Sequence, residues 1–155
     1  MSTVERKDKI MNILISACLL GVNCRYDASS KTVPELEELM SKHTLIPVCP
    51  EQLGGLSTPR SPAEIKGYFV ISKDGVDVTE EFIKGAEETL KIAKIYNCKY
   101  AILKEKSPSC GSEKIYDGTF SKTIIDGDGF AAKLLKKNGI KIIGESEISL
   151  KIHEF

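Results

Sequence analysis

Four short apolar runs set the architecture of this chain: NILISA (12–17), TLIPV (44–48), YAIL (100–103) and IKII (140–143). Each has the length of a strand, and helical spacing fills the intervals between them. Leu36, Leu39 and Met40 follow Pro34, while Phe82, Ala86, Leu90, Ala93 and Ile95 follow a cap at Thr79. A third helix covers 130–137 and stops at Gly139. Apolar strands alternating with helices specify an α/β fold, here a doubly wound, mostly parallel sheet with helices on both faces. A small β-hairpin is expected where Tyr68–Ser72 and Val76–Thr79 flank Lys73-Asp74-Gly75. Residues 49–66 and 105–128 read as loops, too long to be mere connections. At 155 residues the chain is expected to form one domain, 1–155, with 1–11 a flexible leader.

Parallel sheets of this kind bind ligands outside the carboxyl ends of their strands, where the strand order reverses. Cys18 follows the first run, Cys49 the second, and Cys110 lies seven residues past the third. If the strands are parallel, all three thiols reach the same rim. Five cysteines are an odd number, and the charged leader MSTVERKDKIMN is no signal peptide. Metal ligation or thiol chemistry therefore explains these residues better than a disulfide framework. Three thiolates suit a soft metal or an iron–sulfur cluster, and three protein ligands leave one metal position open for substrate or water. Cys98, in the turn YNCKY, is expected in the core as a small hydrophobe. Cys24 is open to several readings: a fourth ligand, a resolving thiol, a disulfide partner of Cys18, or a bystander, the last being favoured.

Polar groups surround the same rim. Glu51, two residues past Cys49, is a candidate general acid or base. Asp27 and Arg25 share the Cys18 loop, Ser107 and Ser109 flank Pro108, and Lys104 and Lys106 add positive charge. No GxxxxGK[ST] or GxGxxG occurs, which argues against a P-loop or a dinucleotide site. His43 and His153 are remote from every motif and are expected in solvent. Lys+Arg and Asp+Glu both total 22, so no bulk charge attracts nucleic acid. No run approaches the roughly 20 apolar residues of a membrane span. The chain reads as cytoplasmic, with neither nucleic acid nor membrane as a partner.

Three motifs, SACLLGVNCRYD, PVCPEQLGGLSTPRSPAEI and LKEKSPSCG, together resemble the thiouracil desulfurases, over Asn12 to Ile143. The resemblance implies an oxygen-sensitive [4Fe-4S] cluster held by Cys18, Cys49 and Cys110 only. It also implies removal of sulfur from 2-thiouracil to give uracil. Glu51 and one serine of SPSC, either Ser107 or Ser109, match positions considered catalytic in that family. The place of Cys24 there often carries a non-cysteine, and Ala28 stands here where RYDG would have glycine. The implied chemistry is non-redox hydrolysis, with the thiocarbonyl sulfur on the iron that lacks a protein thiolate. Glu51 takes a proton from water, while a serine and Lys104 meet the developing charge; Asp27 is the next candidate base. A thioated pyrimidine and the iron–sulfur assembly machinery are the expected partners. Two other readings fit the same cysteines: a three-cysteine zinc hydrolase and a non-catalytic iron–sulfur redox sensor.

Overall fold

The computed structural model describes residues 9–151. Residues 1–8 of the expected leader, and His153, lie outside the described residues. The central sheet has the order β2-β1-β5-β8, formed by Thr44–Val48, Asn12–Ser16, Tyr100–Leu103 and Lys141–Gly144. All its pairings are parallel, with Ile13 opposite Leu45 on one side and Tyr100 on the other. The chain leaves β1 towards β2 and returns to lie on β1's other side as β5. The order therefore reverses between β1 and β5, and a crevice forms outside their carboxyl ends.

Alternation along the strands divides the core into two layers. Ile13, Ile15 and Ile102 face α1 (Leu36–Lys42) and α5 (Ile148–Lys151), packing on Leu36, Leu39 and Ile148. Leu14, Val48, Ala101 and Leu103 face the other way, onto α3 (Thr79–Ile95) and α4 (Phe130–Lys137), where they meet Ala93, Ala132 and Leu135. Cys98 belongs to this second layer, as expected of a core thiol. No helix among the described residues is long and apolar enough to cross a membrane.

The expected loops contain more structure than their composition suggests. Pro50–Leu53 is a short helix, α2, and Ala63–Lys66 is a strand, β3. That strand pairs antiparallel with β4, Phe69–Ser72, around a turn at Gly67 with φ 65°. The regular hairpin thus forms one segment earlier than expected, while the expected pairing across Lys73-Asp74-Gly75 is reduced to the antiparallel bridge Ile71–Asp77, with the Ser72 amide donating to the Val76 carbonyl at 2.8 Å and the Val78 amide to the Val70 carbonyl at 2.9 Å. The start of α3 explains the shift. Asp77 Oδ1 accepts the Thr79 amide at 2.9 Å, and Thr79 Oγ1 accepts the Val70 amide at 2.9 Å, so 77–79 turn into the helix. A second hairpin, β6 (Lys114–Tyr116) with β7 (Ile124–Asp126), occupies the other long loop.

Ile95 is 74% exposed, contrary to its expected place on the buried face of α3. It lies about 220° around the helix from Phe82, at roughly 100° per residue. The buried stripe is Phe82, Gly85, Ala86, Thr89 and Ala93. Gly85 brings the backbone of α3 against that of α2. A Cβ there would lie 2.0 Å from the Pro50 carbonyl oxygen, and one at Gly54 would lie 1.9 Å from that of Glu81.

Candidate active site

A cavity of about 310 Å³ opens at the carboxyl ends of β1, β2 and β5, within the size range of small-ligand sites. Cys18, Cys49 and Cys110 all border it, each supplied by a different strand end. Cys18 lies in a 3-10 turn, Ala17–Leu20, that continues β1, and Cys49 caps α2 with an extended backbone. Cys110 ends the 107–110 turn, where its amide donates to Ser107 Oγ at 2.7 Å.

Cys24 borders the same cavity and is only 2% exposed. Its thiol hydrogen-bonds those of Cys18 and Cys49, and Cys49 Sγ also approaches the Cys24 carbonyl at 3.6 Å. The structure thus gives Cys24 a place among the thiols rather than apart from them. All these cysteines are free. Burial pushes the Cys110 thiol up to about 12, against hydrogen bonds from Ser16 and Ser109 that lower it. The bond to Cys24, and then burial, raise Cys49; the bond to Cys18 chiefly raises Cys24. A soft cation bound here would displace these protons.

Glu51, in the first turn of α2, is held from both sides. Arg60 Nε donates to Oε1 at 2.9 Å, and Ser109 Oγ donates to Oε2 at 2.9 Å. The Arg60 and Glu51 side chains are 8% and 15% exposed, so the pair is largely withdrawn from water. The same guanidinium spans the site, donating to the Cys24 carbonyl at 2.9 Å, the Ser57 carbonyl at 3.1 Å and Thr58 Oγ1 at 2.9 Å. The Ser107 and Ser109 hydroxyls lie 3.2 Å apart but have different partners: Ser107 Oγ accepts backbone amides and closes the turn, whereas Ser109 Oγ donates to the carboxylate.

Lys104 borders the cavity with its ammonium on Glu145 at 3.1 Å and on the Glu105 carbonyl at 3.2 Å. Ser16, the buried last residue of β1, accepts the Lys104 amide at 2.9 Å. Arg25 and Lys106 are also in the wall. Asp27 is not among the residues that line it. Its exposed carboxylate accepts the amide and hydroxyl of Ser29, which lowers its pKa. Ala28 beside it has φ 61°, a conformation that favours glycine. His43 is half-buried rather than in solvent, and its Nδ1 accepts the Met11 amide at 3.2 Å.

Sequence reasoning missed Arg60, Ser16 and Glu145. Each acts through a contact distant in sequence and carries no spacing signal; the small residue before a strand-end cysteine was the one hint at Ser16.

Comparison with known proteins places the fold and the sequence in a family. The family model for 2-thiouracil desulfurase matches residues 13–147. The uncharacterized protein YbbK of Bacillus subtilis (strain 168) is 44% identical over 147 residues, covering 88% of this chain and 97% of that protein. The solved structure of the [4Fe-4S]-dependent thiouracil desulfidase TudS superposes with a TM-score of 0.84 at 39% identity, covering 94% of this chain and 99% of that one. Over nearly all of its described length, in fold and in sequence, this chain is a member of the 2-thiouracil desulfurase family.

Proposed function

We propose that this chain is an iron–sulfur-dependent desulfurase that hydrolyses a thioated pyrimidine, converting 2-thiouracil and water to uracil and hydrogen sulfide. The observation that carries the reading is Glu51, braced by Arg60 and bonded to Ser109 on a cavity bordered by free thiols. Soft donors spread around a cavity suit a cluster. Cys18, Cys49 and Cys110 would hold the [4Fe-4S] cluster, with Cys24 as a hydrogen-bonding neighbour. Bound there, the cluster supplies a thiophilic Lewis acid for the thiocarbonyl sulfur.

The chain's own residues handle the proton and the developing charge. Arg60 occupies Oε1 of Glu51, so Oε2 is the oxygen that accepts a proton from water, directly or through Ser109. Ser109 then donates to the oxygen that forms at C2, and Lys104, oriented by Glu145, adds positive charge on the same wall. Ser107 shapes the turn, and Asp27, committed to Ser29, is outside the reaction. No net electron transfer enters this scheme. The chain is read as one cytoplasmic domain that receives its cluster from the iron–sulfur assembly machinery.

The test is anaerobic reconstitution with iron and sulfide, metal analysis, and a sulfide-release assay on 2-thiouracil. The expected result is iron with acid-labile sulfide and equal yields of sulfide and uracil. A cluster-loaded protein that releases no sulfide from thioated pyrimidines would remove the reading.

A further inference from the structure

The wall of the cavity contains an aromatic residue that the core does not use. Phe120 lines the cavity but belongs to none of the apolar clusters of the core. Its backbone has φ 56°, a left-handed conformation that a bulky side chain rarely adopts. Glu64, also on the cavity wall, holds it there. This carboxylate is 8% exposed and has no cation within ion-pair distance among the described residues. Its Oε1 instead accepts the Phe120 amide at 3.1 Å and the Gly118 amide at 3.0 Å. Gly118, with φ 93°, lets the loop lie directly on β3, since a Cβ there would sit 2.9 Å from the Ile65 carbonyl oxygen. An aromatic side chain in an unfavourable backbone conformation is a destabilising feature, and a buried carboxylate is committed to the two amides that hold it so. Both have the same result: an aromatic residue fixed at the cavity, where core packing does not require one.

We propose that Phe120 is a specificity-determining residue that stacks on the planar ring of the substrate, and that Glu64 is the positioning residue that holds it there. The proposal rests on the desulfurase reading for its ligand class, an aromatic pyrimidine. Stacking grips the ring as a whole and makes no contact with the proton in flight, so it governs chiefly KM and ring selection and leaves the proton chemistry at Glu51 alone.

Binding of uracil, and of its saturated, non-planar analogue 5,6-dihydrouracil, would be measured by calorimetry on anaerobic cluster-loaded protein. Wild type, Phe120→Gly, Phe120→Leu and Phe120→Tyr would be compared, each with a thermal melt and a sulfide-release assay. Wild type and Phe120→Tyr are expected to prefer uracil. Phe120→Leu keeps the apolar bulk and is expected to lose that preference. Phe120→Gly relieves the backbone, so it should melt no lower than wild type yet bind uracil about 10-fold or more weakly, as loss of a stacking partner does. Its KM for 2-thiouracil should rise similarly, with kcat within about threefold. Glu64→Gln should weaken uracil binding in the same direction.

A Phe120→Gly variant that binds uracil as wild type does would overturn the proposal and leave the desulfurase reading standing. So would a Phe120→Leu variant that retains the full preference for the planar ring, and a Phe120→Gly variant that melts lower, since Phe120 would then be structural. Wild type that binds uracil with the expected ring preference but releases no sulfide sinks the desulfurase reading alone. Wild type that binds no pyrimidine overturns both.

Discussion

Replacing Arg60 tests the geometry of the site most directly, because one side chain ties Glu51 to the cysteine loops. Arg60→Met keeps much of the bulk and removes the charge together with four hydrogen bonds. Removing one partner of a buried ion pair costs about 3–5 kcal/mol. Glu51 keeps its bond from Ser109 and borders a cavity, so about 3 kcal/mol is appropriate. The Cys24 carbonyl retains only its long contact with the Cys49 thiol, which adds about 1 kcal/mol. A total of about 4 kcal/mol corresponds to a melting point lower by roughly 8–16 °C in a chain of this size. Arg60→Lys keeps the charge, but one ammonium cannot replace a planar fork that reaches both Glu51 and the Cys24 carbonyl, so about 1–2 kcal/mol is expected. The assay is urea unfolding of cluster-free protein at pH 7, followed by circular dichroism, with the denaturant slope unchanged. A methionine variant within about 1 kcal/mol of wild type would refute the reasoning, as would a lysine variant no better than methionine.

Other outcomes follow from the same contacts. Glu51→Gln should keep the cluster's absorption spectrum and lower turnover by roughly 100-fold or more, the scale of losing a general base, measured by sulfide release. Cys24→Ser should keep iron content and turnover near wild type, because a hydroxyl can take over the hydrogen bonds to Cys18 and Cys49, whereas Cys49→Ser should lose both. Ala28→Gly relieves the left-handed backbone and should raise stability by about 0.5–1 kcal/mol in urea unfolding. Burial lowers the pKa of His43. The unfolded state therefore binds its proton first, and stability present above about pH 6.5 should be lost as pH falls towards the folded pKa. Melting curves from pH 7.5 to 5 should show that loss, reduced in His43→Gln.

The convergence of Cys18, Cys49 and Cys110 was legible because parallel strands share a direction, so the segments that follow their carboxyl ends reach one rim. Glu51 was legible for the same reason, lying one helical step past Cys49. Arg60 was not, since its reach to the Cys24 carbonyl crosses 36 residues of sequence and depends on how two loops pack. Asp27 lies outside the cavity lining for a local reason: an aspartate two residues before a serine satisfies itself on that serine's amide and hydroxyl. Helix existence on α3 was clear, but the phase at Ile95 was not, because apolar residues continue past the face that packs. The two hairpins were obscured by strands only three or four residues long.

The contact between Gly54 and Gly85 has a consequence for how this protein can change. Neither position offers room for a single methyl group, and the obstruction at each is main chain, which cannot rotate aside as a side chain would. The turn that carries Glu51 is thereby keyed to the long helix behind it. Mutational drift along α3 can alter its exposed surface freely without moving the carboxylate, because the register between the two segments is set by main chain meeting main chain. New substrate preferences in such a scaffold have to arise from side chains that line the cavity on its other segments, because the turn that carries Glu51 cannot shift to suit them.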